Sequence, residues 1–314
     1  MDAQFQPVDP AKFRDPFVTA KGEARATVAL RALDTLWVNT GTLCNLTCRN
    51  CYIESSPRND RLAYLTRDEV RGYLEEIVRE RLPTRLIGFT GGEPFMNPDI
   101  IGMLDDVLSC GLEALVLTNA MQPMRRLRAP LLALREAHEE RLRIRVSLDH
   151  HTAAVHEAER GARSWAPTIE GLVWLARNGF VIDVAGRRFS GEPEAALRAG
   201  FARLFAGLDV PVDAADPVRL MLFPEMEAQR DVPEITTACW GILHKSPDDV
   251  MCASARMVVK RQGAAAPAVL ACTLLAYDPQ FELGRTLAEA ARPVSLNHSY
   301  CASFCVLGGA ACSR

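Results

Sequence analysis

No stretch of this 314-residue chain approaches the ~18–20 consecutive apolar residues that a membrane-crossing helix needs. Residues 1–21 carry Asp2, Asp9 and Asp15 and lack an apolar run ahead of a small-residue cleavage site, so they do not read as a secretory signal. There is no field of one sign either. With 36 Lys and Arg against 39 Asp and Glu, the formal charge is −3, and neither nucleic acid nor an anionic membrane is expected as a partner. The most basic stretch, 124–145, interleaves its arginines with Glu136, Glu139 and Glu140 and reads as a solvated helix face. A cytoplasmic protein is the expectation.

Cysteine is plentiful: the chain has ten. In a reducing compartment these are not expected to form structural disulfides, and clustering points to metal or redox chemistry. Three fall within eight residues, Cys44, Cys48 and Cys51; Cys110 stands alone; six lie from Cys239 onward.

Between about 35 and 225 the sequence alternates short runs rich in Val, Ile and Leu with longer segments of helical pattern. The runs at 35–38, 86–90, 114–118, 144–148, 181–184 and 218–223 are nearly continuous in hydrophobicity, as parallel strands buried on both faces are. Thr66 to Glu69 forms a capping box opening a helix to about Arg81. Asn97-Pro98 reads as an N-cap with proline at the first position of a helix over 100–109. A third helix, 168–177, closes on Asn178-Gly179. Six such units fall short of the ~250 residues of a closed eight-stranded barrel. An α/β fold, an open partial (β/α)6 TIM-like barrel, is therefore expected. A doubly wound sheet is the alternative, but no GxGxxG turn follows the first strand. After about 233 the alternation stops. Runs at 257–260 and 268–271 read as a hairpin, a short helix over 285–291 follows, and a small Cys-rich α+β domain is expected to end the chain. The expected division is an extension at 1–30, the barrel at 31–230 and the Cys-rich unit at 231–314, with the boundary near 226–238.

The cysteine trio lies in the loop after the first strand, and three is the informative number. A structural zinc or an electron-transfer cluster usually takes four protein ligands, whereas three leave a position open. At the end of the second strand stands Gly91-Gly92-Glu93, where glycines let backbone approach a ligand closely and expose amides to it. Strand C-terminal ends are where barrel enzymes build their sites.

Together these segments resemble the radical S-adenosylmethionine (SAM) superfamily, whose signature pairs a CxxxCxxC loop after the first barrel strand with Gly-Gly-Glu after the second. The resemblance implies that Cys44, Cys48 and Cys51 bind three irons of a [4Fe–4S] cluster and that SAM chelates the fourth. Reductive cleavage of SAM then gives a 5′-deoxyadenosyl radical that abstracts hydrogen from an organic substrate. Gly91, Gly92 and Glu93 would lie along the methionyl amino group. Asn119 ends the third strand, and Val146-Ser147-Leu148-Asp149 with the stretch from His156 to Gly161 looks like the corresponding segment of peptide- and cofactor-modifying members. That match makes Ser147 and Arg160 contacts of the SAM carboxylate or ribose, a role suited to a two-pronged guanidinium. The residue before the third cysteine is often aromatic in the superfamily; here it is Asn50, which leaves the adenine contact to backbone or to Tyr52. An electron donor such as flavodoxin or ferredoxin is implied as a partner.

Cys252, Cys272, Cys301 and Cys305 resemble the ligands of a twitch- or SPASM-type appendage, where a hairpin and a C-terminal knot hold one auxiliary [4Fe–4S] cluster. Cys312 competes for a place among them. A zinc knot using His298 is the alternative for this site. Cys110 and Cys239 are expected to be buried thiols. His150 and His151 are candidates to face the cavity, at most one of them doing so, with Asp149 and Glu225 as further candidates. The substrate is expected to be a ribosomal peptide or a small metabolite. About thirty residues precede the first strand, too few for a peptide-recognition domain ahead of it. A non-catalytic iron–sulfur or zinc-binding carrier or scaffold is the alternative function, and Gly91-Gly92-Glu93 would be purposeless in it.

Overall fold

All six expected strands form, because each is an apolar run with both faces covered. The structure, a computed structural model, describes residues 9–225 and 230–309. Its strands are β1 (Thr27–Val28), β2 (Thr35–Asn39), β3 (Leu86–Thr90), β4 (Glu113–Thr118), β5 (Leu142–Ser147), β6 (Val181–Arg188), β7 (Leu220–Pro224), β8 (Ala255–Val259), β9 (Ala268–Leu270), β10 (Glu282–Gly284) and β11 (Val294–Ser295). Its helices are α1 (Arg67–Arg79), α2 (Ile100–Ser109), α3 (Gln122–Arg125), α4 (Arg128–His138), α5 (Ala153–Arg160), α6 (Trp165–Arg177), α7 (Glu194–Gly207) and α8 (Cys239–Ile242).

Strands β2 to β7 pair in parallel in chain order, with helices in the crossovers, as an open partial barrel requires. Every residue of β2 and four of the five in β3 are buried. The capping box forms: the Glu69 amide donates to Thr66 Oγ1 and the Thr66 amide to Glu69 Oε2. The α6 C-terminus closes at Asn178 with Gly179 in the left-handed region, φ 69°.

Several expectations are corrected. The hairpin near 257–271 does not stand apart from the barrel. Its first strand, β8, pairs in parallel with β2, from Thr35↔Ala255 to Val38↔Val258, so the parallel series has seven members. Antiparallel β9 and β10 then extend the same nine-stranded sheet. The cause is a free edge: β2 has only β3 on its other side, and an unpaired parallel edge recruits a strand. The helix expected at 285–291 reduces to one 3₁₀ turn, Glu289–Ala291. The N-cap position of α2 falls at Asp99, which makes no side-chain cap bond, while buried Asn97 accepts from the Asp99 amide at Oδ1, 2.9 Å, and donates from Nδ2 to the carbonyls of Thr40 and Leu65. Cys110 is exposed at the C-cap of α2, and Cys239 is half-buried. Of the proposed boundary, 226–229 lies outside the described residues, as do 1–8 of the extension. The rest of the extension is tied down by pairing of β1 with β11.

Between β2 and β3, Trp37 sits opposite Gly88, and its ring fills the space a side chain would take: a Cβ at Gly88 would fall 2.4 Å from the indole. Gly88→Ala should lower the unfolding free energy by ~1–3 kcal/mol through overpacking, read as a shift in denaturant midpoint at unchanged slope.

Candidate functional site

Strand β2 delivers the chain into an irregular loop that cannot rely on a helix or ladder for its shape. It is held by named bonds instead. The Thr42 amide donates to the Leu62 carbonyl, 3.0 Å, and the Cys44 amide to that of Ser56, 3.1 Å. Cys44 is buried, and Cys48 and Cys51 are half-buried. The amides of Leu46 and Ser55 point at the sulfurs of Cys44 and Cys51, at 3.4 and 3.3 Å, the donors that a thiolate metal ligand uses. Burial, then Glu93, then the neighbouring thiols Cys48 and Cys51, push the Cys44 thiol up to about 12. Burial raises Cys48 too, opposed by the Arg160 charge. As thiolates the three would repel one another, and a soft metal centre held among them would replace their protons. All three line a cavity at the C-terminal ends of the parallel strands.

Gly91 and Gly92 also line the cavity. Their amide arrangement differs from the expectation that they offer N–H groups to a ligand. The Gly92 amide donates to the Gly41 carbonyl, 2.8 Å, and the Glu93 amide to that of Leu43, 3.1 Å. A Cβ on Gly91 would lie 2.5 Å from the Gly41 oxygen, and one on Gly92 2.1 Å from the Leu43 oxygen. Both glycines are thus required by contact with the cysteine loop, and Gly91, at φ +128°, also by its backbone.

Glu93 is fully buried, and its carboxylate faces its own chain: Oε1 accepts from the Thr118 hydroxyl (2.8 Å) and the Phe95 amide (3.2 Å), and Oε2 accepts from the Asn119 amide (2.9 Å). Burial outweighs these donors and raises its pKa to about 7. With both oxygens taken, Glu93 is unsuited to act as a fourth ligand beside the cysteines, which leaves that position to an exogenous group. The donor set fits a three-thiolate cluster with one open iron. Asn119 lines the cavity, and its Nδ2 donates to Asn45 Oδ1 in the cysteine loop, 2.9 Å.

Ser147, Tyr52, Asn50, Asp149 and Arg160 complete this part of the wall. Arg160 is not a surface residue. It is half-buried and makes a two-pronged pair with Asp149, at 2.8 and 3.0 Å. Burial opposes both charges, yet each holds the other ionised: Asp149 lies below its usual range and Arg160 above its own. Neither His150 nor His151 lines the cavity. Residues not anticipated are Glu159, Arg187, Phe223, Leu274 and Phe304. Arg187 donates to Glu159 at 3.2 Å and to Glu225 at 2.9 and 3.0 Å. It was missed because β6 runs to Arg188, four residues past its expected end. Phe223 and Phe304 stack at 5.5 Å and 27°.

The Radical SAM superfamily profile matches residues 38–187, which contain the trio, Gly91-Gly92-Glu93, Ser147 and Arg160. Residues 38–187 are thus a radical SAM domain. Its radical SAM domain is similar to the antilisterial bacteriocin subtilosin biosynthesis protein AlbA of Bacillus subtilis, 30% identical over 143 residues, which make 45% of this chain and 30% of AlbA. It is also similar to the mycofactocin maturase MftC of Mycobacterium ulcerans, 32% identical over 137 residues, 44% of this chain and 35% of that protein. The matches thus span about a third of either relative. The SuiB structure from Streptococcus suis with bound S-adenosylmethionine shares the fold at a TM-score of 0.59 and 11% identity, covering 81% of this chain and 63% of SuiB.

Beyond the radical SAM domain, Cys252 lies in a 3₁₀ turn before β8, Cys272 follows β9, and Cys301 and Cys305 lie in a π-helix, Cys301–Val306. A spacing of four is close to one turn of a helix whose hydrogen bonds run i to i+5, which places both on one face. Burial, then Cys272, push Cys252 up to about 12, and burial with Cys272 and Cys252 raises Cys301 well above the ordinary thiol range. Arg256, buried beneath them, donates to the carbonyls of Cys252 and Ala290, at 2.6 and 2.8 Å. His298 Nδ1 accepts from the Tyr300 amide, 3.1 Å. Cys312 lies outside the described residues.

Asp149→Ala would leave the half-buried Arg160 guanidinium without its partner and should cost ~3–5 kcal/mol of stability, whereas Asp248→Ala at the exposed Arg31 pair should leave the unfolding midpoint almost unchanged; paired denaturant titrations check the contrast. The Glu93 carboxyl, at about 7 in the fold and ~4.3 unfolded, binds a proton more readily in the folded chain between those values. Its contribution to stability therefore falls as pH rises through that window. In Glu93→Gln that slope should vanish, while an N–H facing the Asn119 amide costs ~1–3 kcal/mol; unfolding midpoints across the window measure both.

Proposed function

We propose that this chain is a SAM-cleaving enzyme that starts radical chemistry on a peptide, with Cys44, Cys48 and Cys51 holding the [4Fe–4S] cluster that binds SAM. The observation that carries this reading is that three thiols line one cavity together with Asn119, Ser147 and Arg160, while the one carboxylate in the lining, Asp149, is taken up by Arg160. When bound, the cluster supplies the electron that cleaves the SAM sulfonium and releases the 5′-deoxyadenosyl radical, which takes a hydrogen atom from the substrate. The chain's own residues bind and orient. Arg160, held ionised by Asp149, presents positive charge to the cysteines and to a carboxylate beside them. Gly91 and Gly92 shape the wall along the methionyl group, Glu93 behind them holds Thr118 and the Asn119 amide, and Tyr52 offers a ring for the adenine.

The peptide reading is supported by the relatives: AlbA is named for bacteriocin biosynthesis, and a SuiB structure holds its precursor peptide SuiA. Phe223, Pro224, Leu274 and Phe304 give the cavity an apolar wall suited to a side chain. Cys252, Cys272, Cys301 and Cys305 are assigned to an auxiliary [4Fe–4S] cluster, which would accept an electron from the substrate radical and make the net reaction an oxidation. The external electron donor would be a flavodoxin or ferredoxin.

Anaerobic reconstitution should give about eight irons per chain, as two [4Fe–4S] clusters require, and 5′-deoxyadenosine on adding reductant and SAM. Cys48→Ala should abolish cleavage, whereas Cys301→Ala should bring iron to about four and leave cleavage at least in part. A chain that takes up only zinc and forms no 5′-deoxyadenosine would overturn the proposal.

A further inference from the structure

The loops that follow β5 and β6 bring together three side chains that the radical SAM chemistry does not use. We propose that His150, His151 and Glu192 form a divalent-metal site, suited to zinc, that clamps these two loops beside the cavity. One ring nitrogen of each histidine and one carboxylate oxygen of Glu192 lie within 4.8 Å of one another. Successive side chains of extended backbone normally project to opposite sides, yet the two imidazoles sit with centroids 4.1 Å apart and planes at 31°. The fold makes room for this. His151 seats over Gly200 of α7, where a Cβ would fall 2.5 Å from the ring, and meets the Phe201 ring edge-on at 5.9 Å.

The donors are also in the right state. His150 is buried, with Nε2 2.7 Å from Glu192 Oε2. Its Nδ1 accepts from the Thr152 amide, 3.1 Å, and lies 2.9 Å from the Thr152 hydroxyl. A metal on Nε2 puts the ring proton on Nδ1, which then gives up the Thr152 amide and donates to the Thr152 hydroxyl, the outer partner that would fix the ring of a metal-bound histidine. His151 Nδ1 is buried with no hydrogen-bond partner among the described residues, which is costly for a ring nitrogen unless an ion or water takes it. Burial and the His150 charge hold His151 below its ordinary pKa, so its ring is neutral and able to ligate; Arg203 opposes a cation here and Glu192 favours one. Two imidazoles and one carboxylate match a zinc site with its fourth position open to water.

None of the three lines the cavity, so they are positioning residues. Asp149, next to His150, holds Arg160 by its carboxylate and accepts the Arg187 amide at its carbonyl, 3.0 Å. Joining residue 150 to residue 192 therefore fixes Asp149 against the end of β6.

The test is anaerobic dialysis of the cluster-loaded protein against micromolar zinc chloride, followed by zinc and iron counts and X-ray absorption at the zinc edge. The expected result is one zinc per chain with only nitrogen and oxygen neighbours. Glu192→Ala, a change at an exposed side chain, and His151→Asn should each keep their iron and hold zinc at least about tenfold more weakly, the loss of one of three ligands. Zinc not retained, zinc with sulfur neighbours, or retention undiminished in either variant would overturn the site. Iron counted in the same sample separates that outcome from a failure of cluster assembly.

Discussion

The cavity depends on a backbone contact between two loops. The turn Gly91-Gly92-Glu93 after β3 lies directly on the cysteine loop after β2, with two amides donating to Gly41 and Leu43 and no space for a Cβ between them. Each hydrogen bond contributes only ~1 kcal/mol net. Their importance is geometric, because the irregular cysteine loop has few other constraints on that side. The same turn points the Glu93 carboxylate at Thr118 and Asn119, and Asn119 returns to Asn45 in the cysteine loop. Three consecutive strand ends are thereby locked into one circuit before any cofactor binds.

A second circuit is electrostatic. Arginines placed in a wall with little water must be paired or pay heavily in desolvation. Arg160 is met by Asp149, and Arg187 by Glu159 and Glu225. Glu159 also accepts from Asn50 and, through its carbonyl, from the Arg49 amide. The α5 segment is therefore bound back to the cysteine loop as well as to β6. Arg160 keeps its charge and its fixed orientation, the two properties that recognition of an anionic group requires.

The C-terminal segment is integrated with the barrel more closely than its composition suggests. Strand β8 takes the open edge of β2, and Phe304 in the π-helix reaches the cavity to stack on Phe223. One cavity thus has a thiol-lined side from the loop after β2 and an apolar side from β7 and the C-terminal π-helix.

The sequence alone determined the parallel strands, the α1 capping box, the cysteine trio and the Gly-Gly-Glu turn, because hydrophobic runs, capping chemistry and short-range spacing are local properties. It also placed Ser147 and Asn119 at strand ends and Arg160 in the segment after β5, and all three line the cavity. Only the tertiary structure decided what partners these residues take. That Gly92 serves loop packing, that Asn97 ties two loops as well as meeting the entry to α2, and that Arg187 joins the wall all depend on contacts between segments distant in the chain. The joining of the hairpin to β2 depends on a contact across some 220 residues, which no local pattern encodes. Residue types set the available chemistry; the burial and neighbours that the fold imposes set which donor faces which acceptor.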